Sequence, residues 1–301
     1  MIKTYTNPVW NADFPDPHVI AVQGRFYAYG TETFAHGSGF QVMESKDLVN
    51  WTHKGTCLTP PWSKEHLWAP EVIQHGGAFY MTYSAKNQHT GKHDIAIAVA
   101  KTPLGPFEHK AILVAGENNK VGVIDTTVFV EKDGSAYLLY SEEEPRRIVA
   151  KKLASDWMST VGEVVELVRP TLAWERGVTE APTVIVRGGK YHMLYSGGWY
   201  ESRKNDASYC IAHAVSDRLL GPYEKKGAVL ASLPGLVWGP GHQCVVIVGK
   251  TDWLLYHGWN DENEPRYGSN PKGRTLRLEK MTWRDGVLQP MAPTTTPQPA
   301  P

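Results

Sequence analysis

Apolar residues along this chain fall in runs of four to eight, alternating or continuous, separated by glycine, proline and aspartate turn signals. No segment sustains an apolar stripe of period 3.6, so the pattern predicts strands and no long helix. The turns at Gly76-Gly77, Asp133-Gly134 and Gly188-Gly189 each precede an aromatic-rich strand ending in Tyr, at Tyr83, Tyr140 and Tyr195. Equivalent strands end at Tyr29 and Tyr256. About fourteen residues before each of these Tyr residues, a shorter strand-like run opens on a polar side chain: Asp16, Glu71, Asp125, Glu180 and His242.

The openers follow one another at 55, 54, 55 and 62 residues (Asp16 to Glu71, to Asp125, to Glu180, to His242). A period this long marks supersecondary units that stack to share a core. A further element recurs in the outer part of each unit, as SKDLVNW (45–51), KTPLGPF (101–107), SDWMS (155–159) and SDRLLGPY (216–223). Each unit therefore has room for about four strands, the size of a propeller blade. The expectation is an all-β, five-bladed β-propeller forming a single domain over residues 1–290. Residues 291–301, a Pro/Thr-rich stretch, read as a linker-like tail that cannot pack.

Composition narrows the partners. Lys plus Arg equals Asp plus Glu at 31 each, so no overall field draws nucleic acid or an anionic membrane, and neither is expected as a partner. Eleven Trp and fourteen Tyr suit both blade packing and flat platforms for a ligand. Cys57, Cys210 and Cys244 lack metal or redox spacing and read as small buried side chains. The N-terminal MIKTYTNPVW has no apolar signal core and no run approaches membrane-spanning length. As written, the chain is expected to be cytoplasmic; secretion stays open if the tail marks a cut from a longer protein.

In a propeller the innermost strand of every blade runs along the central axis, so the five openers are expected to occupy one repeated structural position and converge at one mouth of the channel. Converging acids serve metal ligation, hydrogen bonding to backbone, or acid–base catalysis. Crowded, partly buried carboxyls split their pKa values, leaving some protonated and some ionised near neutrality. Hydrolysis of a glycosidic bond needs that split: one carboxylic acid protonates the leaving oxygen, and one carboxylate activates water or attacks carbon.

The segments NPVWNADFPDPHVI (7–20), LWAPEVI (67–73), GVIDTTVFVEKDGSAYLLYS (122–141), TEAPTVIVRGGKYHMLYS (179–196) and GPGH (239–242) resemble, in order, the motifs of glycoside hydrolase family 43. The resemblance runs from residue 7 to about 290 and implies a five-bladed propeller of inverting, mostly exo-acting enzymes on xylan and arabinan chains. It implies Asp16 as general base, Glu180 as general acid and Asp125 as the third carboxylate that tunes and orients the acid. Glu71 receives no proton-transfer role and is expected to be structural. Trp68, Phe34 and Ile124 are implied as substrate contacts, and Arg274 as an arginine that hydrogen-bonds the sugar, against the reading of a surface strand arginine and with the nearby Arg277 as the wrong choice. His242 is implied to lie on the propeller axis near a structural calcium, held through waters because Ca²⁺ prefers oxygen ligands. No cofactor is expected for catalysis.

Two other classes compete. A carbohydrate-binding or scaffold propeller would repeat its binding residues as near copies, whereas the openers here differ in type and flanks. The fructan-cleaving propellers, which retain configuration, carry an Arg-Asp-Pro middle motif and an acid followed by Cys; here Asp125 sits in VIDTT and Glu180 in TEAPT. The chain is thus expected to be an exo-acting β-xylosidase/α-L-arabinofuranosidase on xylo- and arabino-oligosaccharides, with an exo- or endo-arabinanase as the alternative. The loops 31–39, 86–93, 199–206 and 259–270 are expected to wall the mouth.

Overall fold

The computed structural model describes residues 3–32, 39–58, 62–63, 65–117, 122–144, 146–200, 208–260 and 273–301. Strand β1 (Thr4–Tyr5) leads into blade one, formed by β2 (His18–Val22), β3 (Arg25–Gly30), β4 (Gln41–Ser45) and β5 (Trp51–Thr56). Blade two comprises β6 (Trp68–His75), β7 (Ala78–Lys86), β8 (His93–Ala100) and β9 (Glu108–Val114). Blade three comprises β10 (Val123–Val130), β11 (Ala136–Glu143), β12 (Arg146–Leu153) and β13 (Thr160–Val168). Blade four comprises β14 (Thr179–Arg187), β15 (Lys190–Gly197), β16 (Cys210–Ser216) and β17 (Glu224–Leu230). Blade five has β18 (Val237–Val248), β19 (Thr251–Asn260) and β20 (Thr275–Lys280), followed by β21 (Trp283–Arg284), β22 (Val287–Leu288) and β23 (Gln298–Pro299).

Every blade is an antiparallel meander in chain order. The inner strands touch in a closed ring: β2 on β6, β6 on β10, β10 on β14, β14 on β18, and β18 back on β2. This is the expected five-bladed propeller. The only helical element among the described residues is a 3₁₀ turn at Ala173–Glu175, and none is long and apolar enough to cross a membrane.

Five apolar clusters fill the five wedges between neighbouring blades. Tyr29, Phe40, Met81 and Phe107 pack between blades one and two, and Ile97, Leu138, Tyr140 and Trp157 between two and three. Met193 and Tyr195 join blade three to four, Leu254 and Tyr256 join four to five, and Phe14, Met43 and Trp253 join five to one. The recurrent Tyr is a packing residue: all five are essentially fully buried, each stabilising the fold by about 1.5–3 kcal/mol through its ring. Several also satisfy their hydroxyl locally, as Tyr29 does by donating to the Pro103 carbonyl and Tyr195 to Glu175 Oε1. The three cysteines are unpaired and buried, as expected.

The ring is closed by the N-terminal segment. Blade five has three strands, and on the edge of β20 the Leu276 carbonyl accepts from Val9 and Trp10, while its N–H donates to Trp10. Asn7 completes the edge, its Nδ2 donating to the Leu278 carbonyl and its Oδ1 accepting from the Leu278 N–H.

Two expectations are corrected. The stretch 291–301 is not an unpacked tail: β23 pairs with β1, Met291 N–H donates to the Val229 carbonyl, and Thr294 donates from N–H and hydroxyl to the buried Glu279 carboxylate. Its prolines are compatible with this because β23 is an edge strand, where a missing N–H is tolerated. The second correction concerns the openers. In blades two to five the register between the first two strands shifts at Trp68/Glu71, Ile124/Thr127, Glu180/Thr183 and Gly241/Cys244. Each shift is a bulge, with two inner-strand residues facing one on the partner. The first bulge residue has a left-handed backbone: Ala69, Asp125, Ala181 and His242, and Asp16 in blade one. Asp16, Asp125 and His242 therefore share one position, Glu180 stands one residue before it, and Glu71 two residues after. The ionisable openers occupy three neighbouring positions, not one.

Candidate active site

The bulge sets which side chains meet at the channel mouth. A left-handed residue re-aims its side chain relative to a regular strand, and in three blades that residue carries Asp16, Asp125 or His242. The position just before it holds Trp68, Ile124, Glu180 and Gly241, with Pro15 in blade one accepting from the Thr31 N–H. The structure thus brings Asp16, Asp125, Glu180, Trp68, Ile124 and His242 to one end of the ring. Glu71 lies deeper in the channel, with His18 Nε2 3.7 Å from its Oε2.

Asp16 is buried and fully engaged. Its Oδ1 accepts from Arg274 Nη1 at 2.9 Å and its Oδ2 from the Thr31 hydroxyl at 2.6 Å. Its backbone N–H donates to His257 Nδ1 at 3.1 Å, and His242 Nδ1 lies 3.5 Å from Oδ1. Burial alone would raise its pKa, but the Arg274 guanidinium hydrogen-bonded to it holds it well below the ordinary carboxylate range. Asp16 is ionised at any working pH. His257, pushed down to about 3 chiefly by burial, is neutral and accepts from that backbone N–H.

The other two carboxyls are displaced the opposite way. Glu180 retains some solvent contact as a residue, yet its carboxyl is deep enough that burial pushes it up to about 7. Tyr209 and Arg146 oppose this, while Glu143 and Asp16 add to it. Asp125 is raised well above the carboxylate range, first by burial and then by Glu180, Asp16 and Glu143. Three carboxyls in one site therefore hold different protonation states, because Arg274 stands beside only one of them with a hydrogen bond.

Arg274 is buried, packs over Tyr200 with its guanidinium carbon 5.5 Å from the ring centroid, and has its N–H fixed by Asp13 Oδ1. Its hydrogen bond goes to Asp16. Arg277 is neither a site residue nor a surface arginine: it is 1% exposed and donates to Asn260 Oδ1 in the blade five interior. Trp68 is held as a flat wall by a cluster of stacked imidazoles, its ring against both His66 (4.9 Å, 14°) and His93 (4.2 Å, 26°), whose own rings stack 5.6 Å apart. Ile124 is buried beside Asp125 in the chain. Phe34 lies outside the described residues.

Sequence reasoning missed Thr31, His257, Tyr209 and Glu143. His257 had a signal: the second strands of blades two to four carry Tyr-Ser (Ser84, Ser141, Ser196), and in blade five His replaces that Ser at the residue paired with Gly241. Tyr209 had none, because it precedes the third strand of its blade and carries no repeat. For a metal, no group of three or more His, Cys, Asp and Glu among the described residues is arranged to hold an ion. His242 Nδ1 faces Asp16 and, at 3.8 Å, Asp125 Oδ2. These side chains do not form a cage for a directly bound cation.

A propeller whose mouth sets one ionised carboxylate against protonated ones has the equipment of a glycoside hydrolase. The chain belongs to that class through a specific family: the family model "Glycosyl hydrolases family 43" matches residues 5–288. Among solved structures, a thermostable family-43 glycoside hydrolase superposes with a TM-score of 0.89 at 33% identity, covering 99% of each chain. The chain is also similar to an extracellular exo-α-(1→5)-L-arabinofuranosidase of Streptomyces avermitilis, at 28% identity over 94% of this chain and 62% of that protein. It is 25% identical to the extracellular endo-α-(1→5)-L-arabinanase 1 of Bacillus subtilis, over 90% of this chain and 85% of the relative.

Proposed function

We propose that the protein is an inverting, exo-acting glycoside hydrolase that removes terminal β-D-xylose or α-L-arabinofuranose from xylo- or arabino-oligosaccharides. The observation that carries this reading is the opposed protonation of Asp16 and Glu180. Asp16, ionised by Arg274, takes a proton from a water that attacks the anomeric carbon. Glu180, protonated up to about pH 7, delivers its proton to the leaving oxygen on the other face. After one turnover Asp16 has gained a proton and Glu180 has lost one, and exchange with solvent resets both. Asp125, held protonated by burial and by Glu180, Asp16 and Glu143, is the third carboxyl, electrostatically linked to the acid Glu180. Trp68, stiffened by His66 and His93, supplies an apolar face for the sugar ring.

Exo action on pentosides draws support from the Streptomyces arabinofuranosidase. A second reading, endo-arabinanase, is favoured by the Bacillus relative, of which this chain covers a larger share. Of the loops expected to wall the mouth, 33–38, 201–207 and 261–272 lie outside the described residues. Side-by-side hydrolysis of p-nitrophenyl β-D-xylopyranoside, p-nitrophenyl α-L-arabinofuranoside and linear arabinan tests the choice. Activity on either pentoside with single sugars released supports the exo reading. Activity on arabinan alone, with oligomers as first products, supports the endo reading, and inactivity on all three supports a binding propeller. A calcium at His242, held through waters, is tested by chelation: a fall in Tm reversed by Ca²⁺ supports it, and an unchanged Tm argues against it.

A further inference from the structure

Tyr209 stands just before β16 and is 2% exposed. Its hydroxyl donates to Glu180 Oε1 at 2.8 Å. Its ring lies parallel to that of His257, with centroids 5.9 Å apart and planes 9° apart. Its ring also lies against Gly241, where an added Cβ would sit 1.9 Å from Tyr209 Cε1 and 2.2 Å from Cδ1. Gly241 thus has a purpose within GPGH: it leaves room for this ring. The backbone before Tyr209 is also approached closely, since a Cβ at Gly198 would lie 2.2 Å from the Ser208 carbonyl oxygen. An aromatic ring packed this closely against an imidazole and a bare backbone is fixed in place, and its hydroxyl is set on the acid.

We propose that Tyr209 positions Glu180 for proton donation, its hydroxyl occupying Oε1 so that Oε2 carries the transferable proton. The proposal rests on the reading of Glu180 as the general acid. A carboxylic acid has two oxygens, and only the one facing the leaving group is productive when protonated. A fixed donor on Oε1 selects the other one and sets the plane of the carboxyl. The tyrosine remains a donor throughout, because burial and the neighbouring Glu180, Asp125 and Asp16 keep its hydroxyl protonated. The charged and titratable groups around Glu180 are Tyr209, Arg146, Glu143, Asp16 and Asp125. Of these, Tyr209 makes the hydrogen bond, and by donating to the carboxylate it lowers the acid's pKa against the burial that raises it.

Tyr209→Phe, which keeps the ring, tests this. On a phenyl pentoside, whose leaving group needs protonation, kcat should fall about ten-fold or more with KM nearly unchanged. On a dinitrophenyl pentoside, which needs little protonation, kcat should be nearly unchanged. The alkaline limb of kcat/KM should move to higher pH. Difference infrared titration of the Glu180 carboxyl, with Glu180→Gln as the blank, should show the same upward move without any substrate. Equal losses on both substrates with an unmoved Glu180 midpoint would overturn the proposal and leave Tyr209 a packing residue. If the wild type hydrolyses no pentoside, the functional reading fails, and the infrared titration still decides whether Tyr209 controls Glu180.

Discussion

Arg274 Nη1 donates to Asp16 Oδ1 across 2.9 Å, joining two residues 258 positions apart in sequence. This contact fixes the protonation of the site. It ties the first blade to the last at the point where the ring closes, and it keeps one carboxylate ionised amid neighbours that hold protons.

Removing that guanidinium should therefore change a pH profile as well as a rate. In Arg274→Met, the pKa of Asp16 rises, because burial then acts with less opposition. The acid limb of kcat/KM should shift to higher pH, and activity at its optimum should fall by roughly 10- to 100-fold, the size of a charge-assisted hydrogen bond. An unmoved acid limb would show that Arg274 contacts only the sugar.

The two proton-transfer roles separate by leaving group. Asp16→Asn should abolish turnover on every glycoside, since of the three carboxyls Asp16 is the one held ionised to take a proton from water. Glu180→Gln should lose roughly 10²- to 10⁴-fold on substrates with poor leaving groups and far less on dinitrophenyl pentosides. Equal losses from both variants on both substrates would reverse the role assignment.

The wild-type profile itself should be asymmetric. Activity should persist well into acid, because Asp16 is depressed, and decline as pH rises through about 7, where Glu180 gives up its proton. A pH–rate measurement that stays flat from pH 6 to pH 9 would contradict this ordering.

Glu71 predicts a stability effect independent of catalysis. Burial pushes its pKa up to about 8 from an ordinary 4.5, so the folded state binds its proton more tightly than the unfolded chain. Its penalty is absent below pH 4.5 and grows as pH rises toward 8. Glu71→Gln should leave stability nearly unchanged at pH 5 and raise it at pH 8, by on the order of a few kcal/mol at most, read as a Tm that rises only at the higher pH. A lower Tm at both pH values would mean that Glu71 has a charged partner in the channel.

Much of this was legible in the chain, and the reason is physical. Tyr83, Tyr140, Tyr195 and Tyr256 repeat because each fills the same wedge between blades, and packing volume leaves a direct trace in sequence. The bulge leaves no such trace. It is a backbone event at Asp16, Ala69, Asp125, Ala181 and His242, residues of no common chemistry, so the acids could be ordered but not assigned their offsets. Blade one shows the same limit. Tyr29 pairs with His18, and Gly30 faces the bulge where other blades place Tyr, with the Phe14 ring 3.1 Å from where its Cβ would be. Residues 291–301 looked unable to pack because prolines and threonines lack apolar bulk. Their contribution is polar: Thr294 satisfies Glu279, which also accepts from Asn7 and Tyr256.

Ending the chain at Pro290 should accordingly destabilise the propeller. It removes the β1–β23 pairing and the Thr294 donors to Glu279, a buried carboxylate group, at about 2–4 kcal/mol. A Tm unchanged by the truncation would return these residues to the status of a linker.

The most direct test of the account is proton NMR of the first sugar released by the wild-type protein from an aryl pentoside. Attack by an Asp16-activated water predicts that the anomer first seen has the configuration opposite to that of the substrate, before mutarotation. Release with retained configuration would mean that a carboxylate attacks carbon itself, and would contradict the assignment of Asp16 as base and Glu180 as acid.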